Sequence, residues 1–284
     1  MAVDERTLTA GLDALEIPVA PKVSRGRRTW AAAWPKLLAI AIVLGFWQFL
    51  IWIEWKPSFA FASPVDTFSA LFDNWDIIWD AMVTTMQRGV QGYAIAIVIG
   101  VAIGAAVARI PVLRAAIGSM ITGLQTMPSV AWYPLALLLF KLSDGAIYFV
   151  IVIGAAPSIA NGLISGVDQI PRILLRAGRM LGARGAASYR HVVLPAALPS
   201  FVSGLKQGWA FAWRSLIAGE LLGVVAGQTS IGWRLQLSRE LVDAEGLLST
   251  MLVILVIGLV VDGLVFGSLD RSIRRRWGLL EAGS

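Results

Sequence analysis

The chain has 284 residues, of which 57% are apolar and 15% charged, with a net charge of +6. About a quarter of the residues in a soluble domain are charged, so this composition excludes an ordinary water-soluble fold and points to a polytopic membrane protein. The absence of cysteine and the single histidine, His191, exclude disulfide frameworks, thiol chemistry, zinc ribbons and multi-histidine metal sites; no catalytic and no metal-binding residues are assigned.

Residues 1–30 are polar and mixed in charge, without apolar periodicity, and read as a flexible cytoplasmic tail. Six segments are then apolar and long enough to span a bilayer: Leu37 to Ile53, Gly89 to Ala108, Met120 to Phe140, Ile147 to Ile164, Val202 to Val225, and Leu247 to Leu269. Lys and Arg collect in the N-terminal flank, at Arg109 and Arg114, in the segment 168–199, and after the last span at Arg271, Arg274, Arg275 and Arg276. The opposite side holds only Lys56, Lys141, Arg234 and Arg239, so both termini are placed in the cytoplasm. The predicted fold class is all-α: a bundle of six transmembrane helices, N-in and C-in.

Between spans one and two, Ser63-Pro64 reads as a helix start. Asp66, Asp73, Asp76 and Asp80 alternate there with Leu71, Phe72, Trp75 and Trp79, which predicts one short amphipathic helix on the outer membrane surface. Span three carries Gln125, Pro128 and Pro134, with Trp132 nearby. Prolines free backbone carbonyls, a break tolerated where a helix lines a cavity or packs on protein, so this span is assigned to a translocation pathway.

The segment from Asp168 to Pro199 is longer than a link between neighbouring helices requires. Pro171 opens a helix whose apolar residues Ile173, Leu174, Ala177 and Leu181 recur at helical spacing. Gly182 and Gly185 interrupt it, and a second short segment runs into Pro195 and Pro199. Arg176-Ala177-Gly178, then Gly182, then Val192, Leu194 and Pro195 reproduce the spacing of the cytoplasmic loop shared by permease subunits of ABC importers. Arg176 stands where that loop has Glu, and Gly178 where it has a second Ala. The likeness extends from Ser63 over SPxDTFSAL, TMPSVAWYPLALLLF, GLKQGWAFAWRSLIAGELL and the closing DRSIRRRWGLL, and resembles the nitrate, sulfonate and taurine group.

Span five carries Lys206, Arg214 and Glu220, and charges at membrane depth mark functional or bundle-facing positions. Gln207 and Arg214, seven residues apart, share a helix face, whereas Glu220 lies about 120° away from Arg214, so the two are not expected to pair within the helix. Gln125, Pro128, Trp132, Gln207, Arg214 and Glu220 form the predicted pathway set, with a structural role for Arg214 and Glu220 left open. Lys206 is expected to reach toward the cytoplasmic interface, Arg88 to snorkel outward, and Asp262 in span six to pair with a neighbour. Glycines four apart, among them Gly100 and Gly104, and Gly204 and Gly208, suit close helix packing, and the tryptophans near the span ends suit interface anchors.

The resemblance implies a type I importer permease fold over residues 31–278, with span one peripheral, a coupling loop at 168–195 and a C-terminal tail at 279–284. It implies a non-enzymatic permease subunit in a bacterial inner membrane. Two copies of an ABC ATPase subunit would hydrolyse ATP with Mg, an extracytoplasmic binding protein would deliver solute, and a homodimer would form the pore. No cofactor is expected on the chain itself, and no nucleic acid as partner. The coupling set is Leu174, Arg176, Ala177, Gly178, Leu181, Gly182, Val192, Leu194 and Pro195, and the implied solute is a small oxyanion such as an aliphatic sulfonate, taurine or nitrate. The alternative is an autonomous secondary transporter or channel for a small anion, against which no internal repeat is seen.

Overall fold

Helix is the only regular structure among the described residues of the computed structural model, which are 25–57, 59–222 and 228–276. That is the expected solution in lipid, where a helix satisfies its own backbone groups. Most of the proposed N-terminal tail, the C-terminal tail, Gly223, Gly227 and Trp277 lie outside those residues.

Two units, residues 1–55 and 56–284, are described separately. In the first, α1 (Arg25–Trp52) contains an apolar stretch, Ala33–Trp52, of 20 residues, long enough to cross a bilayer.

The second unit opens with α2 (Pro64–Asp73). Ser63 caps it by accepting from the Asp66 amide at 3.2 Å, and Pro64 occupies a first-turn position where no amide donor is needed. The helix stops at Asn74, and Trp75, Asp76, Trp79 and Asp80 belong instead to α3 (Trp75–Arg109). The single surface helix expected over this stretch is therefore two elements, and α2 packs on the last long helix while exposing Val65, Phe68 and Phe72.

After one extended residue, Ile110, α4 (Pro111–Thr126) begins. Met127 and Pro128 are extended, a 3₁₀ turn follows at Ser129–Trp132, and α5 (Tyr133–Phe140) completes the interrupted span. Next come α6 (Asp144–Asp168), α7 (Arg172–Met180) and the one-turn α8 (Ala186–Ser188). A π turn at Tyr189–Val193 runs directly into α9 (Leu194–Leu222), so Pro195 and Pro199 lie within helix rather than ending a separate segment. The outer α10 (Ile231–Glu240) is followed by α11 (Ala244–Val260), a π turn at Val261–Phe266 and α12 (Gly267–Arg276).

Four helical stretches have the length and apolarity of membrane spans: Ala33–Trp52, Trp75–Arg109, Asp144–Asp168 and Ala244–Ile273. The other two expected spans are the interrupted α4–α5 stretch and α9, whose 29 residues include Lys206, Arg214 and Glu220. Those charges lower its hydropathy without shortening it.

Helix α6 lies between α3 and α9 and carries most of the packing. Ile147, Ile151 and Ile159 of α6 are fully buried with Ile78 of α3 and Leu216 of α9, and Trp209 meets Tyr93 edge-on at 5.2 Å. The closest approach is at Gly162 and Gly204, where a Cβ built on Gly162 would lie 2.5 Å from the Gly204 Cα. Backbones can come that near only where both partners lack side chains. Gly100 and Gly104 play the same part against Ala156 and Ala160, whereas Gly263 has open space around it. Replacing Gly162 by leucine should separate α6 from α9 and cut the yield of detergent-stable protein severalfold on size-exclusion chromatography, while alanine at Gly263 should leave it unchanged.

Candidate functional site

The segment after α6 folds into a knuckle. Helix α7 ends in a Schellman motif: the Ala183 amide donates to the Gly178 carbonyl at 2.9 Å and the Gly182 amide to Arg179 at 3.1 Å. That closure needs a left-handed residue, and Gly182 has φ +84°. The Cβ of a residue at 178 would stand 2.7 Å from a methyl of Val192, so α7 folds back on the π turn through Gly178. Gly178, assigned to the coupling set, is buried and serves this contact within the chain, because the two arms of the knuckle can pack only where one lacks a side chain.

The other side of the knuckle is apolar and uncovered. Leu181 is 89% exposed and Met180 83%, and Leu174, Arg176 and Leu194 are exposed as well. Ala177, Val192 and Pro195 are half-buried and support the shape.

A second feature forms where the interrupted span crosses α9. A cleft of about 300 Å³ is lined by Gln125, Thr126, Pro128, Ser129, Phe211 and Arg214, among others. Ser215 of α9 donates to Ser129 at 2.6 Å, and Gln125 donates to Ser158 of α6 at 3.3 Å, which fixes the break against its neighbours. Arg214 is exposed, with its guanidinium carbon 5.4 Å from the centre of the Phe211 ring. Gln207 shares the exposed face but not the cleft, and Lys206 pairs with Asp262 at 3.1 Å, both side chains about half exposed. Asp262 thus has the neighbour expected for it, the π turn of the last span lying alongside α9. Trp132 does not line the cleft; its buried indole Nε1 has no hydrogen-bond partner among the described residues.

Glu220 lies elsewhere. Only 1% exposed, its carboxylate accepts from Thr85 at 2.9 Å and from the Gly232 amide at 3.1 Å, and meets Arg88 at 3.3 Å. Arg88, 5% exposed, also donates to Asp144 at 2.8 Å and to Gln228 at 2.6 Å. The Ile231 amide donates to Thr85 at 2.9 Å. These bonds join α3, α6, α9 and the start of α10 in one clamp. Two expectations are corrected here: Glu220 does not line a pathway, and Arg88 does not snorkel, because each is the other's nearest buried counter-charge and leaving either alone in a low-dielectric interior is costly. Arg88 and Arg109 are 21 residues apart on α3, about 31 Å along a helix, which matches the hydrocarbon thickness between the clamp and the knuckle.

Residues 96–275 match the family described as binding-protein-dependent transport system inner membrane component. The chain belongs to that family. It is a multi-pass inner-membrane permease of an ABC importer, a subunit that works with an ATPase and a solute-binding protein. Similar proteins include the bicarbonate transport system permease protein CmpB of Synechococcus elongatus, 30% identical over 66% of this chain and 67% of its own length. The taurine transport system permease protein TauC of Escherichia coli is 25% identical over 65% of this chain and 66% of its own. An amino acid ABC transporter of known structure shares the fold with a TM-score of 0.57 at 18% identity, over 74% of this chain and 98% of that one.

In this permease, sequence reasoning anticipated the helix, glycine turn and helix of the knuckle, and the structure places three of the six pathway candidates, Gln125, Pro128 and Arg214, at one cleft. It missed the clamp residues Thr85, Asp144, Gln228 and Gly232. The available signal was a surplus of ionisable groups near the outer span ends, where an arginine inside one helix and a glutamate inside another require each other.

Proposed function

We propose that the permease forms, as a homodimer served by two ATPase copies that consume ATP and Mg, the conduit for a small oxyanion such as an aliphatic sulfonate or taurine, with nitrate and bicarbonate in the same chemical class. The observation that carries this reading is Arg214, an exposed guanidinium in a cleft at the broken span. Its fork of donors suits planar and tetrahedral oxyanions, and a charged group at this depth is stable only where it meets water or a counter-charge. Gln125 adds a neutral amide to the same wall, and the exposed Gln207 and the Lys206–Asp262 pair continue the polar face of α9 inward. The uncovered face of the knuckle, led by Leu174 and Leu181, seats in a groove of the ATPase and transmits its closure, and the protein itself performs no covalent chemistry. TauC and CmpB, named for taurine and bicarbonate, support the anion class.

The test is uptake by proteoliposomes holding the permease, its ATPase and its binding protein, with taurine, alkanesulfonates, nitrate and bicarbonate as solutes. Arg214→Gln should lower anion uptake about tenfold or more, as expected for losing a charge-assisted contact worth about 1.4 kcal/mol or more. Arg214→Lys should recover part of it. Unchanged uptake in Arg214→Gln would refute the assignment of Arg214 to the conduit.

A further inference from the structure

Two cavities meet at the inner end of the bundle. One, of about 520 Å³, is an apolar cleft between α3, α6 and α9, with Val101, Ala105, Leu163 and Phe201 among its walls and Arg109 at its edge. The other, of about 570 Å³, lies under the knuckle and is lined by Arg179, Arg184 and Ser188 among others. Val167, Tyr189 and Val193 line both, so apolar cleft and basic pocket adjoin along a shared wall. Arg109 stands 5.8 Å over the Tyr189 ring at the junction.

Among the described residues, these cations have no carboxylate partner. The ion pairs among the described residues involve Arg88, Arg114 and Lys206, and none involves Arg109, Arg179 or Arg184. Asp168, next to Val167 in the chain, is already held by Arg114 at 2.7 Å. The distribution of Lys and Arg places this end at the cytoplasmic leaflet, where the anionic lipids of a membrane meet basic pockets between helices.

We infer that this compound cleft binds one anionic phospholipid of the inner leaflet, an acyl chain along Val101, Ala105 and Phe201 and the phosphate among Arg109, Arg179 and Arg184. Charge complementarity selects this occupant: a neutral chain would satisfy the apolar walls but leave three arginines facing no anion, and a soluble anion would leave the walls wet. The site ties the knuckle to the lipid boundary, so lipid composition bears on how firmly the knuckle is held. The inference goes beyond the proposed solute and does not depend on it.

The experiment is native mass spectrometry of the permease–ATPase complex after exchange into nanodiscs of phosphatidylglycerol and phosphatidylcholine in equal amounts. Wild type should retain phosphatidylglycerol selectively, and excess inorganic phosphate should not displace it. Arg109→Gln combined with Arg184→Gln should lower that retention about fivefold for each arginine removed. Ala105→Phe, which fills the apolar wall without touching a charge, should reduce retention of both lipids, and Arg239→Gln on the opposite side should change nothing. Equal retention of the two lipids by wild type, selectivity untouched by the arginine pair, release by inorganic phosphate, or occupation of the cleft by a second protein chain would each overturn the inference. Should the paired variant fail to assemble, the wild-type selectivity and the Ala105→Phe result still decide it.

Discussion

Replacing Glu220 by alanine is expected to abolish the folded permease under conditions where wild type is stable. The substitution strips Arg88 of a buried counter-charge and leaves the Thr85 hydroxyl and the Gly232 amide without the acceptor they share. Removing one partner of a buried pair costs about 3–5 kcal/mol, comparable with the whole stability of many domains. Glu220→Gln retains an acceptor for the hydroxyl and the amide but not the charge, and should fall between the two. The informative variant is the double Arg88→Met, Glu220→Leu, which removes both buried charges and leaves Asp144, whose side chain is 37% exposed, to be solvated by water; it should recover a substantial part of the lost stability. Thermal unfolding in a fixed detergent, followed by tryptophan fluorescence and by retention on size exclusion, measures all four proteins. A Glu220→Ala protein as stable as wild type would show that the clamp does not hold the outer end together.

Aspartate in place of Leu181 is expected to separate transport from ATP hydrolysis. Leu181 is the most exposed apolar side chain of the knuckle and touches little of its own chain, so the substitution leaves the fold undisturbed. It places a charge where an apolar side chain is proposed to enter a groove of the ATPase. The ATPase should no longer co-purify at wild-type stoichiometry, and uptake by proteoliposomes should fall to background. Gly182→Val acts differently: its surroundings are open, but a β-branched residue resists φ +84°, so the Schellman closure is strained and the knuckle changes shape. That variant should still bind ATPase while hydrolysis no longer drives uptake. Normal coupled uptake in both variants would remove the knuckle from the mechanism.

These two regions differ in how far the chain alone reveals them. The knuckle is local: Pro171, the apolar periodicity through Leu181, and Gly182 lie within a dozen residues, and each acts on backbone geometry through its own covalent structure. Its start, its break and its uncovered apolar residues are readable in order. The role of Gly178 was not, because the methyl it accommodates belongs to Val192, fourteen residues on, and reaches it only after the π turn forms. Similarly Ser63-Pro64 announced the start of α2, but its end at Asn74 was hidden, since acidic and aromatic residues continue without change into α3.

What the amino-acid order determined by itself was the membrane character, the placement of basic residues on one side, the broken third span and the family to which the loop belongs. The first three follow from hydropathy, charge count and backbone chemistry summed over neighbours in the chain; the family follows from the likeness of the loop's residues to those of known permeases. Tertiary structure alone decided that Glu220 and Arg88 are a structural clamp, that Lys206 answers Asp262, and that Arg214 faces a cleft beside Gln125. The reason is that the cost of a charge in a membrane depends on what stands within about 4 Å of it. That neighbour comes from a helix tens of residues away, brought near by glycine pairs such as Gly162 and Gly204 whose partners no local pattern names.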